Sequence, residues 1–446
     1  MRFDTLRHDD LSRRGFLRAT TAALGCTGLT AIGLRGDDSR KRPRVAAIFT
    51  VMTYRSHAHV ILENFLEPYL FNGKRTDPGV DVVSLYADQT QEGDMLRATA
   101  REYGIPIYET IDAALCLGGK QLAVDGVMSI GEHGNYPTNQ LGQREYPRKR
   151  FFDEIVAVMR RSGRFVPLFN DKHLSYRWDW AKEMYDTTQE LGIPFMAGTS
   201  VALAQRRPPL ELEPGTEFEE AVVVHGGPLE SYDFHGLEVL QSMIESRKGG
   251  ETGVSLVEFL DRGALWSAAQ KGRWSVDLAE AAMAAQFGGK LPSLVRFDLS
   301  ERSGEPHGLR VTYKDGLKAL VLRIGNDSTR WNFACRLKGE SRIHATSFYV
   351  GPWQNRCLFK GLSHAIQHHF VHRRAPYPVE RTLLVTGILE AAMRARAKKG
   401  EKRLDTPHLE FDYAPRDFRD LREMGATWKI ITESTPQPRG IDRLGR

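Results

Sequence analysis

The chain has 446 residues with 62 Lys and Arg against 56 Asp and Glu, a formal charge of +6. That excess is local: residues 1–44 hold ten basic and five acidic residues, leaving 52 basic and 51 acidic residues in the remainder. A body so nearly neutral has no basic field to hold a phosphate backbone, which excludes nucleic acid as a partner. About 400 residues are expected to form two domains around separate cores.

The N-terminal segment reads as an export leader. Arg13 and Arg14 stand in Ser12-Arg13-Arg14-Gly15-Phe16-Leu17-Arg18, followed by an apolar stretch rich in Ala and Thr over residues 19–34. Paired arginines before a short apolar run form a receptor-read address. A membrane span needs about 20 strongly apolar residues, so this stretch is a poor anchor. The expectation is a twin-arginine signal peptide over residues 1–43, handled by the twin-arginine translocase, and a periplasmic or extracytoplasmic protein. Cleavage is expected after the small-x-small sequence Ala31-Ile32-Gly33, and Cys26 offers an imperfect lipidation site. No later run is long and apolar enough to span a bilayer. Cys116, Cys335 and Cys357 match no zinc spacing and read as buried thiols; a Cys335–Cys357 disulfide stays open.

From residue 44, strand-like and helix-like segments alternate. Strands are expected at 45–50, 80–86, 105–108, 121–130, 165–169 and 194–197. Helices are expected at 57–70, 92–103, 110–117, 147–161 and 178–191. This alternation predicts an α/β fold with a Rossmann-like doubly wound parallel sheet over residues 44–205. After Arg206-Arg207-Pro208-Pro209 the pattern changes. A strand at 220–225 and a helix at 234–247 precede β-rich runs at 294–299, 308–313, 317–323, 332–337 and 344–349. An α+β domain with a mostly antiparallel sheet is expected over 206–378, then a C-terminal helix and tail over 379–446.

Ligands of open α/β sheets bind beyond the carboxyl ends of the strands. Those ends carry Thr53-Tyr54-Arg55-Ser56-His57, then Asp88, then Glu132-His133-Gly134-Asn135-Tyr136, then Asp171-Lys172-His173. Acid/base groups clustered at one sheet edge mark a candidate site. The second domain adds His235 and Glu238, three apart at a helix start and so on one face. His133, Asp171, His173, His235 and Glu238 also form a donor set for a divalent metal, which keeps a metal-dependent lyase or hydrolase open. A catalytically inactive sugar-binding protein is a third reading, with Trp178, Trp180 and Tyr136 as stacking platforms. His364, His368 and His372 fall on one helical stripe and read as an interdomain or solvated face. His307 and His344 are assigned no role.

Gly226, Gly227, Leu229, His235, Leu237 and Glu238 match the second-domain motif of the Gfo/Idh/MocA oxidoreductases, and the plan of residues 44–400 resembles that family. The resemblance is to an uncharacterised exported branch, with Asp171-Lys172-His173-Leu174-Ser175 and Glu132-His133-Gly134 as its distinguishing features. It implies NAD(P)-dependent hydride transfer on a carbohydrate or polyol and a homo-oligomer, and export requires the cofactor to travel tightly bound. On it, His235 exchanges a proton with a sugar hydroxyl, and Lys172 or His133, beside Glu132, polarises the reacting oxygen. Thr53, Tyr54, Ser56, His57 and Asp88 contact the cofactor, while Asp171, His173, Tyr136 and Glu238 contact the substrate. Three positions depart from the family. Thr50-Val51-Met52-Thr53-Tyr54-Arg55 stands where the family has Gly-x-Gly-x-x-Gly, Glu132-His133-Gly134 replaces Glu-Lys-Pro, and Ser231 replaces the motif Asp.

Overall fold

The computed structural model describes residues 41–289, 293–294 and 305–442. The leader with Cys26, and the strand expected at 294–299 apart from Leu294, lie outside the described residues. The first sheet is built from β1 (Arg44–Phe49), β4 (Asp81–Ala87), β5 (Gly126–Ile130), β6 (Leu168–Asp171) and β7 (Phe195–Gly198). Its order is β4-β1-β5-β6-β7, and every pairing is parallel. The strand expected at 105–108 shrinks to a single bridge, Leu85 to Ile107, on the open side of β4. With that bridge the sheet takes the doubly wound order in which the chain reverses between β1 and β5.

The central strands are mostly apolar because both faces are covered, with Ser129, Asn170 and Asp171 the buried polar residues near the ends of β5 and β6. Every residue of β5, β6 and β7 is buried, as is all of β1 after Arg44. Helix α1 (His57–Leu66) lies on one face; α3 (Ile111–Cys116), α4 (Arg148–Ser162) and α5 (Trp178–Glu190) lie on the other, with α2 (Leu96–Tyr103) beside α1. The α1 helix starts at the side-chain cap of Ser56 and ends four residues sooner than its periodicity predicts. Pro68 removes a donor there, and a hairpin of β2 (Tyr69–Phe71) and β3 (Lys74–Thr76) follows. Its turn, Asn72-Gly73, has positive φ at both residues, the geometry of a tight hairpin.

The second sheet has eight strands in the order β15-β10-β11-β12-β9-β13-β14-β8. These are β8 (Gln205–Arg207), β9 (Phe218–His225), β10 (Val254–Leu260), β11 (His307–Tyr313), β12 (Lys318–Arg323), β13 (Trp331–Leu337), β14 (Ile343–Tyr349) and β15 (Arg403–Asp405). Only β9 and β12 run parallel. Alternation along β9 sends Ala221 and Val223 to one core and Val222 and Val224 to another. Helix α6 (Ser231–Ile244) covers the first face, while α7 (Arg262–Gln270) and α8 (Val276–Phe287) cover the second.

Two further helices join the sheets. Helix α9 (Asn355–His372) packs Phe359, Leu362, Ile366 and Phe370 into the core beside α1. Helix α10 (Val379–Ala397) gives Val379 and Leu383 to the first sheet's core and Leu384, Val385 and Ile388 to the second's. The described residues from Arg42 onward therefore form one compact unit. Of the histidine stripe of α9, His364 packs, stacking on Phe71 and meeting the Tyr69 hydroxyl at 2.9 Å, while His372 is exposed. Cys116, Cys335 and Cys357 are buried free thiols, so no Cys335–Cys357 disulfide forms. Among the described residues no helix is long and apolar enough to cross a membrane.

Candidate active site

A cavity of about 560 Å³ opens where the first sheet reverses direction. The ends of β1, β5 and β6 form its floor, the start of α6 and Trp331 one wall, and the start of α9 another. Five of the eight described non-glycine residues with positive φ line it: Arg55, His133, Lys172, Glu230 and Gln354. That conformation costs each about 1 kcal/mol or more. Strain gathered at one place is a mark of function.

Lys172 leaves the end of β6 at φ 69° and crosses to the second sheet's helix. Its ammonium donates to His235 Nε2 at 2.7 Å and to the Ser231 carbonyl at 3.3 Å, and lies 3.6 Å from Glu132 Oε1. With Nε2 accepting, His235 Nδ1 carries the proton and donates to Thr199 Oγ1 at 2.5 Å. Burial, reinforced by the Lys172 charge, pushes His235 well below the usual imidazole range, so the ring is neutral.

Glu132 is the fixed anion of the site. Burial alone would raise its pKa, but Lys172 and Arg148 outweigh it and hold the carboxyl well below its ordinary value. The fully buried Arg148 binds Glu132 Oε2 through one nitrogen and donates to His173 Nε2 at 3.1 Å through another. Gly131 makes room for this: a Cβ there would stand 2.7 Å from Arg148 Cγ. Burial and Arg148 drive His173 well below its usual pKa, and it sits behind the cavity wall.

His57 faces the cavity from the first turn of α1, and its Nδ1 donates to Asp171 Oδ2 at 2.6 Å. Asp171 is buried beneath it, so Nε2 is left for a ligand. His133 packs edge-on to His57 at 5.1 Å, and burial lowers its pKa to about 4.

Glu230 closes the ring. It lines the cavity and accepts from the Asp233 amide as the cap of α6. Its Oε1 is buried without a hydrogen-bond partner, 3.5 Å from His173 Nε2. Burial raises its pKa to about 7 despite Arg148. Sequence reasoning assigned neither Glu230 nor Arg148. Glu230 follows the Gly226-Gly227 pair, whose tight path was a signal: a Cβ at Gly227 would fall inside the Tyr232 ring. Arg148 had none, because its partners are 16 and 25 residues away.

The structure thus gathers Glu132, His133, Lys172, His235 and His57 around one cavity, with Asp171 and His173 immediately behind. Others lie elsewhere. Glu238 points into the core, where Thr382 donates to it at 2.6 Å and Arg381 lies 3.3 Å away. Three positions along a helix also turn the side chain by about 60°, enough to part it from His235. Tyr136 donates to Asp88 at 2.6 Å, and Tyr86 and Arg150 bind the same carboxylate, outside the cavity lining. Trp178 packs with Phe411 and Trp180 under Arg177, so neither is a platform in the cavity. The aromatic walls are Tyr146, Tyr232, Trp331 and Phe359. The metal set His133, Asp171, His173, His235 and Glu238 does not converge, since its members are engaged with different partners. Among the described residues one other group, His225, Asp233 and His307, brings three ligand atoms together.

The loop from β1 to α1 does not make a dinucleotide cradle. Val51 and Met52 turn inward and are fully buried. Ser56 Oγ accepts from the Thr53 and His59 amides, and His59 Nδ1 accepts from the Arg55 amide at 2.7 Å. Asn355 of α9 donates to the Arg55 carbonyl, and the Arg55 guanidinium is tied to Gln354 and Gln437. Tyr54 packs on His59. A pyrophosphate needs close backbone approach and free amides, and here the Thr53, Arg55 and His59 amides donate to side chains.

No family model and no curated protein matches the chain. Solved structures do. GenD2 from gentamicin A biosynthesis, in complex with NAD, is 14% identical with a TM-score of 0.53 over 85% of this chain and 99% of its own. A probable dehydrogenase from Thermotoga maritima is 10% identical with a TM-score of 0.50, covering 82% and 99%. A myo-inositol dehydrogenase from Corynebacterium glutamicum is 10% identical with a TM-score of 0.50, covering 81% and 98%. The chain therefore has the two-sheet fold of these dehydrogenases, almost end to end on their side and with its own chemistry at the first loop.

Proposed function

We propose that this protein is an exported acid/base enzyme on a dehydrogenase scaffold, a lyase or hydrolase acting on a carbohydrate or polyol through the side chains that line its cavity. The observation that carries the reading is the convergence of the Asp171–His57 pair and the Lys172–His235 pair on one cavity at the sheet's reversal point. His57, oriented by Asp171, is the base that takes a proton at Nε2. Lys172, 3.6 Å from Glu132, supports negative charge developing on a substrate oxygen. Glu230, neutral at mildly acidic pH, returns a proton to the departing oxygen. The aromatic walls Tyr232 and Trp331 suit the apolar face of a sugar ring.

A nicotinamide-dependent oxidation is the second reading, favoured by the fold shared with NAD-bound GenD2. The filled first loop and the engaged Asp88 oppose it. The deciding experiment couples native mass spectrometry of gently purified protein with turnover assays on a panel of sugars and polyols. The acid/base reading expects turnover without added NAD(P), no retained dinucleotide, and loss of turnover in Lys172→Met. A retained dinucleotide, or turnover that needs one, would replace it with the second reading.

A further inference from the structure

We propose that His225, Asp233 and His307 form a site for one borderline divalent cation of the zinc class, separate from the cavity residues. The three come from three elements: the end of β9, the first turn of α6 and the start of β11. One oxygen, Asp233 Oδ1, stands 3.1 Å from His225 Nε2 and 2.9 Å from His307 Nε2, and all three ligand atoms lie within 4.8 Å of one another. A tetrahedral ion with bonds of about 2.0–2.1 Å sets its ligand atoms about 3.3 Å apart. Opening the cluster by a few tenths of an ångström admits the ion. Two imidazoles and one carboxylate are a donor set that zinc, cobalt(II) and iron(II) accept, with one position left for water.

The surroundings hold the donors in place. The other Asp233 oxygen accepts from the Glu230 amide at 2.7 Å, which fixes the carboxylate plane. The His225 ring stacks on Trp331 and the His307 ring on Phe259, with interplanar angles of 17° and 19°. All three residues are buried, so an ion here would exchange slowly with water. Arg323 sits between the two histidines in the sheet register, with its guanidinium directed to the Gly227 carbonyl at 3.2 Å. Its positive charge opposes a bound cation.

The consequence is mechanical. Asp233 caps the same first turn that presents Glu230, Ser231 and Tyr232 to the cavity, so an ion on Asp233 would pin that wall.

The full chain, purified gently, would be analysed for bound metal, then stripped with a chelator and titrated with cobalt(II) while visible absorption and the melting temperature are recorded. The proposal expects close to one equivalent of metal per chain, a tetrahedral cobalt spectrum, and a melting temperature that rises on adding zinc. Asp233→Asn keeps the side chain's volume and its cap, and it should lose all three signatures while remaining folded by circular dichroism. His235→Ala should keep them. A stripped chain with no cobalt spectrum and no response to zinc would overturn the site. So would an Asp233→Asn protein that binds cobalt as the parent does.

Discussion

The Lys172 ammonium lies 2.7 Å from His235 Nε2, although 63 residues separate the two and they belong to different sheets' helices and strands. This contact ties the two halves of the molecule at the point where chemistry is proposed. Lys172→Met removes the charge and keeps the stem. Turnover is expected to fall by about 10²–10⁴-fold with the fold intact, a range typical of a lost proton-handling group. A kinetically normal Lys172→Met enzyme would remove Lys172 from the mechanism.

Asp171 touches only the back of His57, so its role is to position the ring. In Asp171→Asn the amide can present its NH₂ to Nδ1 and favour the other tautomer, leaving Nε2 protonated and unable to accept. The expected result is a drop in kcat of about 10²–10⁴-fold with KM nearly unchanged. Equal losses in kcat and in thermal stability would indicate a purely structural aspartate.

Glu230 makes both stability and activity depend on pH near neutrality. Its folded pKa, about 7, lies above the ordinary 4.5, so the folded state binds its proton more tightly than the unfolded chain. The stability it contributes is complete below about pH 4.5 and is lost as pH rises to about 7. Glu245, also raised to about 7 by burial, adds to the same slope. Glu230→Gln should therefore raise the melting temperature at pH 8 relative to the parent and flatten part of the slope. It should also abolish the fall in activity on the alkaline side, at a low residual rate. An unchanged pH–stability curve in the variant would contradict a neutral buried Glu230.

Glu132 should be essential to folding as well as to chemistry. Glu132→Gln leaves the buried Arg148 and Lys172 without their shared anion. Removing one member of a buried ion pair costs about 3–5 kcal/mol, so the midpoint of urea unfolding should drop sharply. Replacing exposed Arg177, paired with Asp179 and lying over the Trp180 ring, should change it by about 1 kcal/mol or less.

Export is testable without structure. Replacing Arg13 and Arg14 by Lys should leave the precursor inside the cell, whereas the parent chain should be recovered beyond the inner membrane as a folded protein. Equal secretion of both would dismiss the twin-arginine leader.

Local pattern made much of the fold legible. The short apolar runs of β1, β5, β6 and β7 read as strands because helix-length amphipathic stretches alternate with them, the pattern of a parallel sheet. The elements that escaped are the ones whose signal is weak or conflicting. The β2–β3 hairpin is short and was absorbed into the α1 periodicity in spite of Pro68 and Asn72-Gly73. β10 lies between two helices, beyond the Gly249-Gly250 turn, and β15 has only three residues and exists through its pairing with β10.

The site divides in the same way. The sequence by itself determined which chemistry was present: acid/base groups at successive strand ends, an imidazole beside a Gly-Gly pair, and a first loop without glycines. Those are properties of residue type and of spacing along single elements. Which groups share a cavity was decided only by the tertiary structure. It set His57 on Asp171, Lys172 on His235 and Arg148 on Glu132, and it sent Glu238 to Arg381 and Asp88 to Tyr136. Such pairings depend on strand order and on how two sheets meet. Charge and hydrogen-bonding interactions act through a few ångströms of space, whatever the separation along the chain.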